Sequence, residues 1–187
     1  LPIPDEQRLR TYVGPPLWYS FGDLGYEGEL LANLVTGYRS RYQDHYLDPE
    51  PFPGVIELLH ELRDAGVALA TATSKQAPMA LAQMEHLGLS SVFDVIAGAT
   101  PDPASSKATV IHEALTRLKA RGVDTSHPVI VGDSVWDVRG AQEAGIPVIG
   151  VGWGYATEDG LDEADAVCET VEDLRTYLLD GVAKHAR

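Results

Sequence analysis

Two aspartates that lie four residues apart, Asp133 and Asp137, are the side chains in this sequence best suited to chemistry. The four apolar residues 128–131 run into Gly132-Asp133, and a helical pattern follows at once. We therefore expect Asp133 at the carboxyl end of a buried strand and Asp137 one helical turn further on, so that both carboxylates face the same space. Paired carboxylates at this edge of a parallel sheet suit Mg²⁺. The alternative is that Asp133 only caps the helix and that Asp137 is an exposed acid in its first turn.

Two further stretches place polar or charged side chains at predicted strand ends. Thr73 ends the predicted strand 67–73 and Ser74 follows it, and their hydroxyl groups, with the backbone amides, could bind an anion. Lys107 stands at the start of a predicted helix, where a cation opposes the helix dipole and so favours a charged partner. Each feature alone is compatible with an ordinary turn, cap or surface residue. Together they predict a site that binds a phosphate, neutralises its charge and holds Mg²⁺.

The elements that must position these residues alternate between helix and strand after residue 50. Predicted strands cover 67–73, 92–97, 129–132, 147–152 and 166–168, and predicted helices cover 55–65, 77–87, 107–120, 136–144 and 171–182. Strands that alternate with helices of this length predict an α/β fold with a doubly wound parallel sheet. In such sheets functional groups gather just past the carboxyl ends of the strands, where the candidate residues lie.

The first 50 residues follow a different, helical pattern. Short helices are predicted near 4–13 and over 17–24, and a longer one over 28–46. The longest helix carries an apolar stripe that we expect to be core, formed by Leu30, Leu31, Leu34, Tyr38, Tyr42 and Tyr46. The proline-rich segment 48–54 is the predicted boundary. The sequence thus predicts a small helical unit over 1–50 and an α/β unit over 51–187.

Composition and charge exclude several classes of protein. A chain of 187 residues with 44% hydrophobic and 22% charged residues has the composition of a globular protein. There is no apolar run long enough for a transmembrane helix and no secretory signal, and the single Cys168 cannot form an internal disulfide, so we expect a cytoplasmic protein without a membrane partner. The net charge of −14 argues against nucleic acid as a partner, although a pocket's local field could still favour a small phosphate ester.

The order of these motifs resembles that of the haloacid dehalogenase-like (HAD) superfamily of phosphatases. The stretch 67–74 resembles its second motif, Lys107 its third-motif lysine, and Gly132-Asp133-Ser134-Val135-Trp136-Asp137 its fourth motif, Gly-Asp-x-x-x-Asp. Residues 1–50 resemble the small helical cap that the family inserts after its first strand. Val13-Gly14-Pro15-Pro16-Leu17 and the run 150–155 are similar to the phosphoglycolate phosphatase-like branch, whereas the loop before Lys107 is more similar to a group described as 5′-nucleotidases.

The resemblance implies a mechanism and a role for each candidate residue. An aspartate on the first strand attacks phosphorus, a second aspartate two residues later is the general acid and base, and Mg²⁺ bridges nucleophile and phosphate. Thr73 and Ser74 would bind phosphoryl oxygens, and Lys107 would neutralise charge in the transition state. Asp133 would bind Mg²⁺ directly. Asp137 would bind the ion through a water molecule or would contact the residues that ligate it. The expected substrate is a small phosphorylated metabolite, such as phosphoglycolate or a nucleoside 5′-monophosphate.

The sequence departs from the family pattern because it contains no Asp-x-Asp-Gly-Thr stretch. Gly22-Asp23-Leu24-Gly25 is no substitute, since it lies in the helical region and follows no strand. In the family's sheet the first strand lies between the strands that end at Thr73 and at Asp133. We therefore expect the nucleophile and the general acid–base upstream of Leu1, in a longer phosphatase.

Two other interpretations stay open. A sugar phosphomutase or a dehalogenase would share the superfamily fold, although a dehalogenase needs no Mg²⁺ and need not keep both Asp133 and Asp137. A catalytically dead phosphate-binding module is the literal interpretation if the chain begins at Leu1. Such a module would bind Mg²⁺ and phosphate weakly and would turn nothing over.

Overall fold

The computed structural model describes residues 3–102, 104–157 and 159–185. The helices and strands follow in the order α1 (Glu6–Arg10), α2 (Leu17–Asp23), α3 (Gly28–Tyr42), α4 (Val55–Asp64), β1 (Ala70–Gln76), α5 (Ala77–His86), β2 (Val95–Ala99), α6 (Lys107–Ala120), β3 (Ile130–Gly132), α7 (Val135–Ala144), β4 (Val148–Val151), β5 (Ala166–Cys168) and α8 (Val171–His185). Within the described ranges, no helix combines the length and the apolar character needed to cross a membrane.

The strands form two separate parallel pieces of sheet. Strand β1 pairs with β2, and β3, β4 and β5 pair in that order. In the described part of the chain, β1 and β3 have no second neighbour, so the sheet is divided between them. Val131 in β3 and Val129 just before it have exposed side chains, because β3 lies at an edge of its piece of sheet. This division falls where the family's first strand is expected.

Strand β4 is covered by helices on both faces, as a doubly wound sheet requires. Because successive residues of a strand face opposite sides, Val148 and Ile149 enter different clusters. Val148 packs with Val138 of α7, whereas Ile149 packs with Leu58 of α4 and Leu174 of α8. All four residues of β4 are buried. The predicted α/β class with helices on both faces is confirmed.

The helix layer holds the two pieces of sheet together. Helix α6 packs against β1 and β2, where Val110 and Ala114 join the apolar cluster of Val95 and Ala97. Helix α7 packs against β3 and β4, and α6 and α7 also contact each other. The N-terminal ends of α6 and α7 are therefore brought to the same side of the divided sheet.

The prediction for the helical unit is only partly right. Helix α3 ends at Tyr42, and residues 43–47 form turns instead of continuing the helix. Within the predicted core stripe, Leu30 and Tyr38 are about half exposed, and the buried residue of α3 is Val35, which lies outside that stripe. The reason is that α2 is the main packing partner of α3 among the described elements, and one neighbour covers only one side of a helix.

Candidate active site

Lys107 and Asp137 form a largely buried ion pair that joins the two halves of the divided sheet. Lys107 Nζ lies 2.6 Å from Asp137 Oδ1, and the side chains are 16% and 10% exposed. The same ammonium group donates a hydrogen bond of 2.7 Å to the backbone carbonyl of Ala72 in β1. Because Lys107 begins α6 and Asp137 lies in the first turn of α7, one cation connects β1 to the helix that follows β3.

Both carboxylate oxygens of Asp137 have protein partners. Besides the contact of Oδ1 with Lys107, Oδ2 accepts a hydrogen bond of 2.7 Å from Ser134 Oγ and one of 3.2 Å from the backbone N–H of Asp133. Ser134, not Asp133, is the N-cap of α7, and Asp137 is buried. The alternative of a capping Asp133 with an exposed Asp137 is therefore wrong. This geometry suits Asp137 to orienting Lys107 and the turn after β3.

The two carboxylate oxygens of Asp133 differ in their hydrogen bonding. Its Oδ2 accepts a hydrogen bond of 3.1 Å from the backbone N–H of Tyr155, and no other described residue donates to Oδ1. Burial raises the pKa of Asp133 and the nearby Asp137 charge adds to this, whereas the Tyr155 N–H, the residue's own N–H and Lys107 act in the opposite direction. A partly desolvated carboxylate with a free oxygen is one that a cation would stabilise. Asp133 therefore fits a divalent cation.

The chain by itself supplies few ligands for such a cation. Among the described residues there is no group of three or more His, Cys, Asp or Glu side chains that could hold a metal ion. With Asp137 engaged by Lys107 and Ser134, Asp133 is the one of the two candidate carboxylates that keeps an oxygen for a cation. A cation here would need oxygen ligands from water, from a bound phosphate or from another segment.

Three glycines make room for the three charged side chains of the site. A Cβ atom at each would collide with one of them, the pairs being Gly132 with Asp137, Gly140 with Lys107, and Gly154 with Asp133. The three glycines do not have positive φ angles, so turn geometry does not explain them. Sequence reasoning assigned no role to Gly140 or Gly154. For Gly140 the available signal was its place inside a predicted helix. Glycine weakens helices, so a glycine there usually has a packing reason.

Replacing Gly140 with alanine is expected to destabilise the protein by about 1–3 kcal/mol, because the added methyl group would displace Lys107. The same change at Gly37 in α3 is the control, since its Cβ would meet nothing closer than Arg41 Nη1 at 3.7 Å. Gly37→Ala is expected to stabilise the protein by about 0.5–1 kcal/mol through helix propensity. Urea unfolding of both variants measures this, and equal effects at the two positions would contradict the packing role of Gly140.

Thr73 and Ser74 lie inside a strand, not at its end. The predicted strand 67–73 is wrong in its bounds, because β1 covers Ala70–Gln76. Thr73 pairs with Gly98, and the register is then irregular until Gln76. Thr73 Oγ1 accepts a hydrogen bond of 3.1 Å from the backbone N–H of Lys75. The strand continues because the chain bulges and pairs with β2 once more, a rearrangement that residue patterns do not reveal.

The structure brings the candidate residues together to different degrees. Lys107 contacts Asp137 directly, and Asp137 bonds to the backbone of Asp133. Lys107 also binds the carbonyl of Ala72, which immediately precedes Thr73. The hydroxyl groups of Thr73 and Ser74 make no hydrogen bond to the three charged side chains. The roles of all five residues remain predictions.

The raised pKa of Asp133 predicts a stability difference that depends on pH. Because burial favours the neutral carboxyl group, the folded-state pKa lies above the ordinary value of 3.8. Asp133→Asn, which cannot ionise, should therefore be more stable than the parent at neutral pH in EDTA. The difference should shrink as pH falls through the folded-state pKa and vanish below pH 3.8. Thermal unfolding of both proteins across this range tests the expectation, which a difference that grows toward acid pH would contradict.

The fold and the site define an α/β protein with a lysine–aspartate pair and a free carboxylate at one edge of its parallel strands. The sequence model described as haloacid dehalogenase-like hydrolase matches residues 1–151. The chain belongs to the haloacid dehalogenase-like hydrolase family. The resemblance seen in the motifs is thereby confirmed.

Proteins from several bacteria are similar to this chain in sequence. The tyrosine-protein kinase PtkA of Mycobacterium tuberculosis is 36% identical over 183 residues, which cover 95% of this chain and 62% of PtkA. A phosphoglycolate phosphatase of Caulobacter vibrioides is 34% identical over 92% of this chain and 75% of its own length. A 5′-nucleotidase of Pseudomonas aeruginosa is 32% identical over 94% of this chain and 80% of its own length. The chain thus spans less than two thirds of PtkA and about three quarters or more of the two hydrolases.

A solved structure supports the fold. The crystal structure of a predicted phosphatase from Clostridium acetobutylicum superposes with a TM-score of 0.86 at 28% identity. The match covers 96% of this chain and 84% of that protein. The strand and helix arrangement described above is therefore similar to that of a solved protein.

Proposed function

We propose that this chain is the larger part of a Mg²⁺-dependent phosphomonoester hydrolase that acts on a small phosphorylated metabolite. The observation that carries the proposal is the Lys107 ammonium group, which bridges the β1 backbone and Asp137, while the other oxygen of Asp137 binds the backbone N–H of Asp133. A fixed cation beside an available carboxylate can receive a phosphate and a divalent metal together. Relatives named phosphoglycolate phosphatase and 5′-nucleotidase favour the same chemistry.

The candidate residues divide the work of phosphoryl transfer between them. The hydroxyl groups of Thr73 and Ser74 and nearby backbone N–H groups would bind phosphoryl oxygens, and Lys107 would neutralise the charge that spreads over them in the transition state. Asp133 would hold Mg²⁺, which when bound supplies further positive charge to the phosphate. Asp137 would keep Lys107 in place through its contact with Nζ. Water and substrate would complete the cation's ligands.

The nucleophile is proposed to come from a segment outside the printed sequence. The division between β1 and β3 has the place and the free edges for one more parallel strand, and it adjoins Lys107. An aspartate at the end of such a strand would attack phosphorus, while the leaving oxygen takes a proton from a second acid. Water would then cleave the aspartyl-phosphate and release inorganic phosphate. This arrangement also explains why the chain has no Asp-x-Asp-Gly-Thr stretch.

We propose that residues 1–50 form a cap over this site and residues 51–187 the core. The two units meet where the rings of Tyr19 and Trp136 are 4.4 Å apart, and where a Cβ on Gly14 would lie 3.1 Å from Ser134 Oγ. Ser134 directly follows Asp133 in the sequence, and Trp136 lies in the first turn of α7. A cytoplasmic location is proposed as well, since the single Cys168 is free and buried.

A second candidate function is transfer of the phosphoryl group to an acceptor other than water. PtkA, which is named a tyrosine-protein kinase, is 36% identical over 183 residues. A sugar phosphomutase would also use the same phosphate-binding groups. The two functions differ in their product, because a hydrolase releases inorganic phosphate and a transferase yields a phosphorylated acceptor.

The test is a substrate screen of the full-length protein with Mg²⁺ or EDTA. The substrates are phosphoglycolate, nucleoside 5′-monophosphates, sugar phosphates and p-nitrophenyl phosphate, and the measured product is inorganic phosphate. Mg²⁺-dependent release from at least one small ester is the expected result. Conversion of a sugar phosphate to its isomer, or phosphorylation of an added tyrosine peptide, without free phosphate would favour the transferase. No turnover of any substrate would favour a phosphate-binding module.

A further inference from the structure

A cavity of about 230 Å³ lies between the first cap helices and the start of α7. Residues from both units line it, among them Arg8, Arg10 and Tyr12 on one side and Trp136, Arg139 and Tyr155 on the other. The cavity is next to the candidate active site, because its wall includes Ser134, which follows Asp133. Neither Thr73, Lys107 nor the two site aspartates line it, so it is a separate cavity.

The charge in this cavity is opposite to that of the whole chain. Three arginines, Arg8, Arg10 and Arg139, and one carboxylate, Asp23, line the cavity and give it a local charge of +2, whereas the chain has a net charge of −14. Arg8 binds Asp23 and Tyr12 in a partly exposed network, whereas Arg10 pairs at 3.0 Å with Glu6 in an exposed and therefore weak ion pair. Arg139 makes no ion pair with any residue in the described part of the chain. The cavity thus has cationic groups that a bound anion could engage.

The aromatic side chains hold part of this charge in a fixed position. The guanidinium carbon of Arg139 lies 5.7 Å from the centre of the Trp136 ring. Trp136 is itself packed edge-on against Tyr19, with ring centroids 4.4 Å apart and planes at 64°. A guanidinium group stacked on a fixed ring keeps its N–H groups free at its edge, where they can bind a carboxylate or phosphate with two hydrogen bonds.

We propose that this cavity binds a small oxyanion, a phosphate or carboxylate group, through Arg139 with help from the arginines of α1. Because Arg139 belongs to α7 and Arg10 to α1, the bound anion connects the first helix to the core. The anion has two possible sources, a free anion or a second anionic group on the substrate. The second source rests on the proposed function, whereas the binding site itself does not.

The test measures the binding of inorganic phosphate by calorimetry. All variants carry Lys107→Met together with Asp137→Leu, which removes the ammonium group of the candidate active site without leaving a buried unpaired carboxylate, so that the remaining binding reports on the cavity. Arg139→Leu is expected to weaken phosphate binding about tenfold, and Arg139→Lys to weaken it less, because lysine keeps the charge but not the paired N–H groups. Arg121→Leu, at an exposed arginine after α6, is the matched control and should leave the affinity unchanged. Equal affinities of the Arg139→Leu and Arg121→Leu proteins would overturn the proposal.

The source of the anion is resolved by comparing phosphate with phosphoglycolate, which carries two anionic groups. If one phosphoglycolate molecule spans both sites, the effects of Lys107→Met and Arg139→Leu on its affinity will be coupled. If the cavity takes a free anion, the two effects will be independent, and two molecules will bind. Either result supports the anion site, whereas affinities that do not depend on Arg139 for both ligands would overturn it. Since no turnover is measured, failure of the proposed hydrolase activity would not affect this outcome.

Discussion

Replacing Asp133 with asparagine is expected to lower Mg²⁺-dependent hydrolysis of p-nitrophenyl phosphate by the full-length protein about a thousandfold. The reason is that Asp133 Oδ1 accepts no hydrogen bond from another residue in the described part of the chain, so the removed charge is the one a cation would meet. Asp133→Ala should abolish the activity. The fold should be kept, because burial already raises the pKa of Asp133 and thus favours its neutral form. Initial rates over a range of Mg²⁺ concentrations measure the effect.

The control for this prediction is Asp64→Asn, an exposed aspartate at the end of α4. It removes the same charge far from the predicted cation and should leave the rate unchanged. Partial recovery of Asp133→Asn at high Mg²⁺ would identify the defect as weakened metal binding. Unchanged turnover in Asp133→Asn, with an unchanged dependence on Mg²⁺, would refute the assignment of Asp133 to the metal.

Replacing Lys107 with methionine is expected to destabilise the protein by about 3–5 kcal/mol, because it leaves the Asp137 carboxylate buried without its cation. The hydrogen bonds from Ser134 and from the Asp133 backbone compensate only in part, so the effect should lie toward the lower end of this range. Combining Lys107→Met with Asp137→Leu should recover part of the loss, because no unpaired charge remains buried. Urea unfolding of the parent, both single variants and the double variant forms the required cycle.

Lys119→Met is the matched control, since Lys119 lies in the last turn of the same helix and is exposed. We expect a change within about 0.5 kcal/mol. If Lys107→Met were no more destabilising than Lys119→Met, the ion pair would not hold the site together. If the double variant were as unstable as the sum of the single variants, the two residues would not be coupled.

A buried ion pair of this kind is better understood as a positioning device than as a source of stability. Removing two charges from water costs nearly as much as their attraction returns, so a pair of apolar residues is often as stable. What the pair provides here is a fixed ammonium group between two pieces of sheet that do not hydrogen-bond to each other. The glycine at position 140 serves the same end, because its missing side chain is the space that Lys107 occupies.

The sequence alone predicted the elements whose signals are local. The bounds of α6 (Lys107–Ala120) and β5 (Ala166–Cys168) match the prediction, and those of α5 and α7 differ from it by one residue. Helix periodicity, capping residues and β-branched runs depend on near neighbours in the chain, so they can be recognised without a structure. The alternation of these elements also predicted the α/β class.

Only the tertiary structure decided which groups meet. Lys107 and Asp137 are 30 residues apart, and Asp133 binds the N–H of Tyr155 from 22 residues away, so no local pattern could pair them. The same is true of the space left by Gly140, the continuation of β1 past Thr73 and the exposed side of α3. The cavity lined by Arg8, Arg10 and Arg139 likewise exists only where α1 meets α7. The residue types determined which chemistry is available, and the packing of distant segments determined where those groups stand relative to one another.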